Sequence, residues 1–472
     1  MTTELERADI QGFVVSGYAR MRHATYALLS VADGRRARRW LGDLAPRVTT
    51  SVRPEERRCI NVAFSIDGLR ALGVADSDLR TFSVPFQEGM AEPHRSRLLG
   101  DSGRSDPSRW LWGGGHDEEL HVLLLLFARD PAEFRALLAT ELDGSRLDGA
   151  LRLVRRLDPE PLPGTVNVGK FGVEHFGFAD GMSQPVIRGS GQEARIRGDD
   201  ARRSVIAPGE FVLGYPNVYD RITPVPKGDV GTGSPWEVGH NGTYLVLRQL
   251  SQDVAGFWQY VARSVTRPGP LADGQDEADA RLELAAKFVG RWPSGAPLVR
   301  SPHADDPDLG ADNSFGYADW DPHGFRCPIG AHIRRSNPRD SGQSNPARNL
   351  ELSNRHRLMR RGRVYGPALD DPLAGDDGID RGLFFMCLNA NIERQFEFVQ
   401  HHWCNNTKFG GLYDEADPLV ATQPDGGGIF TVQGMPVRRR HPGIETFVTT
   451  RGGAYFFLPG IRGLRWLATG TR

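Results

Sequence analysis

Short apolar runs of strand length alternate along this chain with segments whose apolar residues recur at helical spacing. Thr25-Tyr-Ala-Leu-Leu-Ser-Val31 predicts a strand, and Asp33 stands where it can cap a helix carrying Ala37, Trp40 and Leu41 on one face. The same pair returns at residues 120–128, where Asp130-Pro131 supplies an N-cap and a first-turn proline ahead of Phe134, Leu137 and Leu138. It returns twice more in the second half: Thr243-Tyr-Leu-Val-Leu-Arg248 precedes Val254, Phe257, Trp258 and Val261, and residues 382–388 precede Ile392, Phe396 and Val399. The entry segments also match, Gly12-Phe-Val-Val-Ser-Gly-Tyr18 against Gly209-Glu-Phe-Val-Leu-Gly-Tyr215.

This repetition predicts an internally duplicated β-α-β-β-α-β unit, that is, an α+β fold of two ferredoxin-like halves with antiparallel sheets and helices packed on them. The expected units are 1–195 and 205–472, joined by the polar stretch 189–208 with its Arg-Gly-Asp-Asp-Ala-Arg-Arg. The second half carries extra chain at 266–380, rich in Pro, Gly, Arg and Asp, which reads as ordered loop and a natural place to build a site.

Composition narrows the function classes. With 472 residues the chain exceeds one ordinary core, and 58 basic against 59 acidic residues leave no global field for nucleic acid or an anionic membrane. The apolar run at 121–128 is far short of the roughly 20 residues a membrane span needs, so it reads as a buried strand. The amino terminus is acidic and has no apolar leader, which points to the cytoplasm. Cys59, Cys327, Cys387 and Cys404 form no Cys-x-x-Cys pair, so they read as buried free thiols rather than a zinc or disulfide framework. The oligomeric state is not encoded, and a homodimer stays open.

Two segments stand out: Phe176-Gly-Phe-Ala-Asp180-Gly181-Met-Ser-Gln-Pro185, and Cys327-Pro-Ile-Gly-Ala-His332-Ile-Arg-Arg-Ser-Asn-Pro-Arg339. A Gly-x-x-Asp-Gly motif, followed downstream by His-Ile-Arg and then by Met359-Arg360-Arg361-Gly-Arg-Val-Tyr365-Gly366, resembles the dye-decolourising peroxidases. The resemblance runs over nearly the whole chain, from Asp9-Ile-Gln-Gly12 to Ile392-Glu393 and beyond, and in length is closer to the larger C/D-type members. It implies haem b held mainly by the second half, hydrogen peroxide as oxidant, a small organic molecule as reductant, and activity at low pH.

The resemblance assigns roles residue by residue. His332 is the expected proximal iron ligand, since ferric haem needs one strong axial donor and one open face. Glu393 is the expected acceptor for the second imidazole nitrogen; the plain alternative is an acidic first-turn residue favoured by the helix dipole. Asp180 is the proton shuttle and Arg360 the cation for peroxide cleavage, with Arg361 as the alternative register. Arg334 is the candidate propionate partner, while Arg335 and Arg339 are expected to face solvent. Gly177 and Gly181 are expected to let backbone approach the porphyrin closely. Tyr317, Trp320, Tyr365 and Trp403 flank the site as candidate radical carriers, although most aromatics are core. Asp370-Asp371 and Asp376-Asp377 could bind manganous ion, with a solvated loop as the plain reading. Cys327 leaves a thiolate ligand open.

Three competing readings remain: a haem protein that carries haem or releases its iron; a specialised biosynthetic haem oxidase; and a non-haem metal hydrolase, for which no His-Glu-x-x-His cluster exists.

Overall fold

In the computed structural model, the structure describes residues 4–52, 57–115, 119–147, 149–162, 172–193, 196, 200–229, 236–265, 276–342 and 345–469. Position 195, the expected end of the first unit, and parts of the 189–208 linker and the 266–380 loop lie outside them.

Nine strands make one antiparallel sheet. In the first half they are β1 (His23–Val31), β2 (Arg58–Phe64), β3 (Val122–Ala128) and β4 (Leu151–Leu157). In the second they are β5 (Thr243–Gln252), β6 (Met359–Arg360), β7 (Arg363–Tyr365), β8 (Gly382–Asn389) and β9 (Val448–Leu458). The order across the sheet is β4-β1-β3-β2-β9-β5-β8-β6, with β7 also on β8. Counting β6 and β7 as one interrupted strand, each half has its fourth, first, third and second strands side by side, so the predicted duplication is a repeated ferredoxin-like topology. The halves meet edge to edge where Phe64 pairs with Phe457, which covers two edges that would otherwise template aggregation.

The helices follow the apolar spacing. Asp33 accepts from the Arg36 N–H at 2.8 Å and starts α1 (Gly34–Leu44), whose buried face is Ala37, Trp40, Leu41 and Leu44. Asp130 accepts from Ala132 and Glu133 N–H at the start of α2 (Pro131–Glu141), which buries Leu137. Trp40, Leu41 and Leu137 pack with Leu29, Leu124 and Val62 of the sheet and with α6 (Ile461–Thr469), a helix the pattern did not single out. Every residue of β3 is buried, as a strand covered on both faces requires. Each large apolar side chain so buried contributes about 1.5–3 kcal/mol.

The second half adds a separate cluster beside the sheet, from α3 (Val254–Val265) and α4 (Glu277–Val289), where Phe257, Phe288, Phe430 and Phe447 meet Phe176 and Phe178 of the motif segment. The helix expected after β8 is wound with wide π turns, Glu393–Glu397 and Val399–Cys404. Among the described residues no helix is long and apolar enough to cross a membrane.

Candidate active site

His332 is the first residue of α5 (His332–Ser336), and the turn before it is held from below. The buried Asp321 carboxylate accepts from the N–H groups of Arg326 (3.1 Å) and Cys327 (2.9 Å) and from Arg334 Nη1 (3.2 Å). Arg335, wholly buried, donates to the carbonyls of Gly330, Trp403, Asn406 and Glu415, and so clamps α5 to the segment that ends in Asp417. Asp417 is buried, and its Oδ1 accepts from the N–H groups of Leu419 (2.9 Å) and Val420 (3.0 Å). That leaves Oδ2 to accept from His332 Nδ1 at 2.9 Å. Burial opposes both charges, but mutual attraction prevails: His332 is held above the usual histidine range and Asp417 below the usual carboxylate range.

The cavity that His332 lines is also lined by an ion pair. Arg360 on β6 donates from Nη1 to Asp180 Oδ1 at 3.0 Å and from Nη2 to the Met182 carbonyl at 2.8 Å, and its own N–H donates to Gln184 Oε1 at 3.1 Å. Burial pushes the Asp180 carboxyl up, but the Arg360 guanidinium and the Gly181 N–H outweigh it and hold the group below its ordinary range. Strand alternation sends the next residue the other way: Arg361 donates to the carbonyls of Phe13 and Val14 and never enters the cavity. Arg360 is therefore the arginine that faces Asp180.

The cavity these groups share has a volume of about 280 Å³, near the lower end of the roughly 300–1,000 Å³ common for ligand clefts. Alternate residues of three neighbouring strands form one wall, in a row where Leu383 of β8 pairs with Leu250 of β5 and that with Thr450 of β9. Phe178, Ile333, Phe385 and Leu419 extend the apolar lining, while the buried guanidinium groups of Arg339 and Arg357 also line it. His332 Nε2 has no hydrogen-bond partner among the described residues. Neither has the buried Tyr317 Oη, on a tyrosine that also lines the cavity. A largely apolar cavity lined by one imidazole with its Nε2 uncommitted, by buried arginines and by an acid paired with a cation fits a haem.

No family model matches the chain. A dye-decolourising peroxidase of Mycetinis scorodonius is 32% identical, over 98% of this chain and 87% of its own. The chain belongs to the dye-decolourising peroxidase family. A dye-decolourising peroxidase of Mycena epipterygia is also 32% identical (90% of this chain, 80% of the relative), as is a multifunctional dye peroxidase of Amycolatopsis sp. (77% and 74%). The crystal structure of the peroxidase from Auricularia auricula-judae superposes with a TM-score of 0.80 at 26% identity, over 99% of this chain and 100% of that one. An ancestral D-type dye-decolourising peroxidase gives 0.79 at 26%, over 98% and 99%.

In this dye-decolourising peroxidase His332, Asp180 and Arg360 share the cavity, and several other expectations are corrected. Glu393 is exposed and does not touch His332; Asp417, 85 residues beyond the histidine, takes that place because Arg335 draws its segment against α5. Arg334 does not line the cavity, since its guanidinium is committed to Asp321 and the Cys327 carbonyl. Arg335 and Arg339 do not face solvent: both are buried, and Arg339 lies 3.8 Å over the Phe315 ring. Gly177 and Gly181 are exposed and absent from the lining; φ values of 97° and 88° explain them as turn residues rather than points of close approach.

Cys327 is fully buried, does not line the cavity, and burial pushes its thiol up to about 11. Of the aromatics, Tyr317 and Tyr365 are buried, Trp403 is half-buried, and Trp320 is exposed under the Arg300 guanidinium at 4.5 Å. Asp376 and Asp377 pair with Arg381. Asp417 and Arg357 had no signal of spacing or composition, because their roles depend on segments distant in sequence meeting at the cavity.

Proposed function

We propose that the chain binds one haem b through His332 and uses hydrogen peroxide to oxidise small organic molecules, phenols and dyes among them, in one-electron steps. The observation that carries this is that one largely apolar cavity is lined by both an imidazole braced by a buried carboxylate and the Asp180–Arg360 pair. A bound haem supplies reduction of peroxide and successive one-electron oxidations of the reductant. Every other requirement falls on the chain's own residues.

His332 keeps its Nδ1 proton on Asp417, which fixes the tautomer and leaves Nε2 as the iron donor. Asp180, held ionised by Arg360, accepts a proton from peroxide and returns it to the departing oxygen, while the Arg360 guanidinium offsets the negative charge that builds there. Arg339 and Arg357, which unlike Arg334 line the cavity and whose guanidinium groups are held in place by the Phe315 and Ser183 carbonyls, are the candidates to receive the propionates. The absence of Cys-x-x-Cys-His supports a non-covalent haem, and four buried cysteines spread along the chain with no Cys-x-x-Cys spacing support a reducing compartment such as the cytoplasm. We read the chain as two units, 1–195 bearing Asp180 and 205–472 bearing His332 and Arg360, so the site is complete only where they meet.

A structurally similar peroxidase (TM-score 0.80, 27% identity) is known in complex with 2,6-dimethoxyphenol, which supports a phenolic reductant here. A haem carrier has no use for the Asp180–Arg360 pair, which favours turnover over storage; a dedicated biosynthetic oxidation would use the same residues. The test is the absorption spectrum of haem-loaded protein and His332→Ala, before and after one equivalent of hydrogen peroxide. The expected result is a Soret band lost in the variant, and in the intact chain a rapid spectral change that 2,6-dimethoxyphenol reverses. A Soret band that peroxide only bleaches would favour the carrier.

A further inference from the structure

One half-buried carboxylate on the cavity wall has no part in this scheme. Glu174 lies six residues before Asp180, and both its oxygens are turned toward the chain. Oε2 accepts from the Phe176 N–H at 2.9 Å and from Gln252 Nε2 at 2.6 Å; Oε1 accepts from the Phe178 N–H at 3.0 Å. The backbone closes the same turn, with Glu174 N–H donating to the Phe178 carbonyl (3.0 Å) and Gly177 N–H to the Glu174 carbonyl (2.9 Å). Asp180 follows directly, its N–H on the Gly172 carbonyl at 2.8 Å. Gln252, the last residue of β5, joins the turn to the sheet, since its N–H donates to the Arg381 carbonyl at 2.8 Å.

The cluster has a second, unused arrangement. Gln252 Oε1 is buried with no hydrogen-bond partner among the described residues. An ionised Glu174 needs the amide N–H₂ of Gln252, whereas a protonated Glu174 needs an acceptor, which a half-turn of that amide would provide. The two peptide N–H groups cannot turn, so protonation must loosen one of the three bonds. The charged group bearing on Glu174 is Asp180, itself paired with Arg360. His175 turns away to the Tyr365 carbonyl at 2.8 Å, and Arg381 is tied to Asp377.

We propose that Glu174 is a positioning residue for Asp180: its carboxylate closes the turn that presents Asp180 to Arg360, and its change of ionisation, with the Gln252 amide as partner, is transmitted to the reaction with peroxide. Burial, the largest influence, raises the Glu174 carboxyl to about 7 despite three donors, so the change falls near neutral pH. The inference rests on Asp180 handling the peroxide proton.

The test uses haem-loaded protein as wild type, Glu174→Gln, Gln252→Leu and Asp180→Asn from pH 5 to 9. Two quantities are read: amide hydrogen exchange of the peptide spanning 172–182, corrected for intrinsic rate, and the second-order rate constant with peroxide. In the wild type both should inflect near pH 7, with protection greater on the alkaline side. Glu174→Gln should abolish both inflections and, above pH 7, lower the peroxide rate on the order of tenfold, the equilibrium weight of one hydrogen bond to a charged group. Gln252→Leu, which removes a donor to the carboxylate, should move the inflection to higher pH and guards against a Glu174 variant that fails to load haem. Wild-type profiles in Glu174→Gln, or an unmoved inflection in Gln252→Leu, would overturn the proposal. Asp180→Asn separates the two assignments: it should retain the exchange inflection and lose the peroxide rate, and an unchanged rate there would instead overturn the role of Asp180.

Discussion

Replacing Asp417 by Asn probes the brace behind the proposed ligand with little change of shape. The asparagine oxygen can still accept from the Leu419 and Val420 N–H groups, so the turn that holds residue 417 is kept. Its amide then faces His332 Nδ1 at the position where Oδ2 now accepts at 2.9 Å, which sets a donor against a donor. The imidazole must surrender the Nδ1 proton or shift it to Nε2, the nitrogen needed for iron, and the carboxylate charge that favours ferric over ferrous haem is gone. Loss of a carboxylate behind a metal-bound histidine costs roughly 10–100-fold. For a one-electron couple at about 59 mV per tenfold, that is a rise of about 60–120 mV in the ferric/ferrous potential. Spectroelectrochemical titration of wild type and Asp417→Asn at one pH reads this directly, and ferric-haem titration followed at the Soret band should give an affinity weakened by about one decade or more. A variant with potential within about 15 mV of wild type and haem affinity within about twofold would refute the idea that the Asp417 carboxylate tunes His332.

The remaining predictions concern the other poles of the site and the fold beneath it. Glu393→Ala, at an exposed position, should leave haem affinity and potential unchanged, in direct contrast to Asp417→Asn. Asp180→Asn and Arg360→Leu should each retain the Soret band and slow the stopped-flow reaction with peroxide by about 10²–10⁴-fold, the usual weight of positioned acid–base groups. The sign of the pH dependence follows from the depressed Asp180 carboxyl: the base form persists below the ordinary carboxylate range of about 4, so Asp180's own contribution to the rate is lost as pH drops through the lowered value, on the acid side of the inflection near pH 7 that Glu174 introduces. In Arg360→Leu burial is no longer outweighed, so the acid-side inflection should move to higher pH; an unmoved inflection would count against the pairing. Arg335→Ala should destabilise the protein by about 3 kcal/mol or more in denaturant unfolding, since four carbonyls lose their donor at the junction of α5 and the Asp417 segment.

Local signals were legible wherever the physics is local. Asp33 and Asp130 cap helices because a carboxylate satisfies N–H groups two or three residues on, and both caps stand as the spacing predicts. The strand at 122–128 is buried throughout because an unbroken apolar run has no face to give to water. The proximity of Asp180 to Arg360 was legible through the motifs, while the preference for Arg360 over Arg361 is a consequence of strand alternation that the chain order alone leaves open.

What the sequence by itself determined was the duplicated α+β topology and the three side chains that meet in the cavity, because helix caps, apolar periods and turn glycines act over a few residues and the motifs are compact. Which carboxylate stands behind His332, and which arginines line the cavity, only the tertiary structure decided. Arg334, Arg335 and Arg339 have the same chemistry within six positions of chain, yet one is consumed by Asp321, one clamps the backbone that delivers Asp417, and one lines the cleft. Those fates depend on contacts 13 to 85 residues apart in sequence, such as Arg334 with Asp321 and His332 with Asp417. A buried charge is tolerated only where a partner arrives, and packing of the whole chain sets where partners arrive.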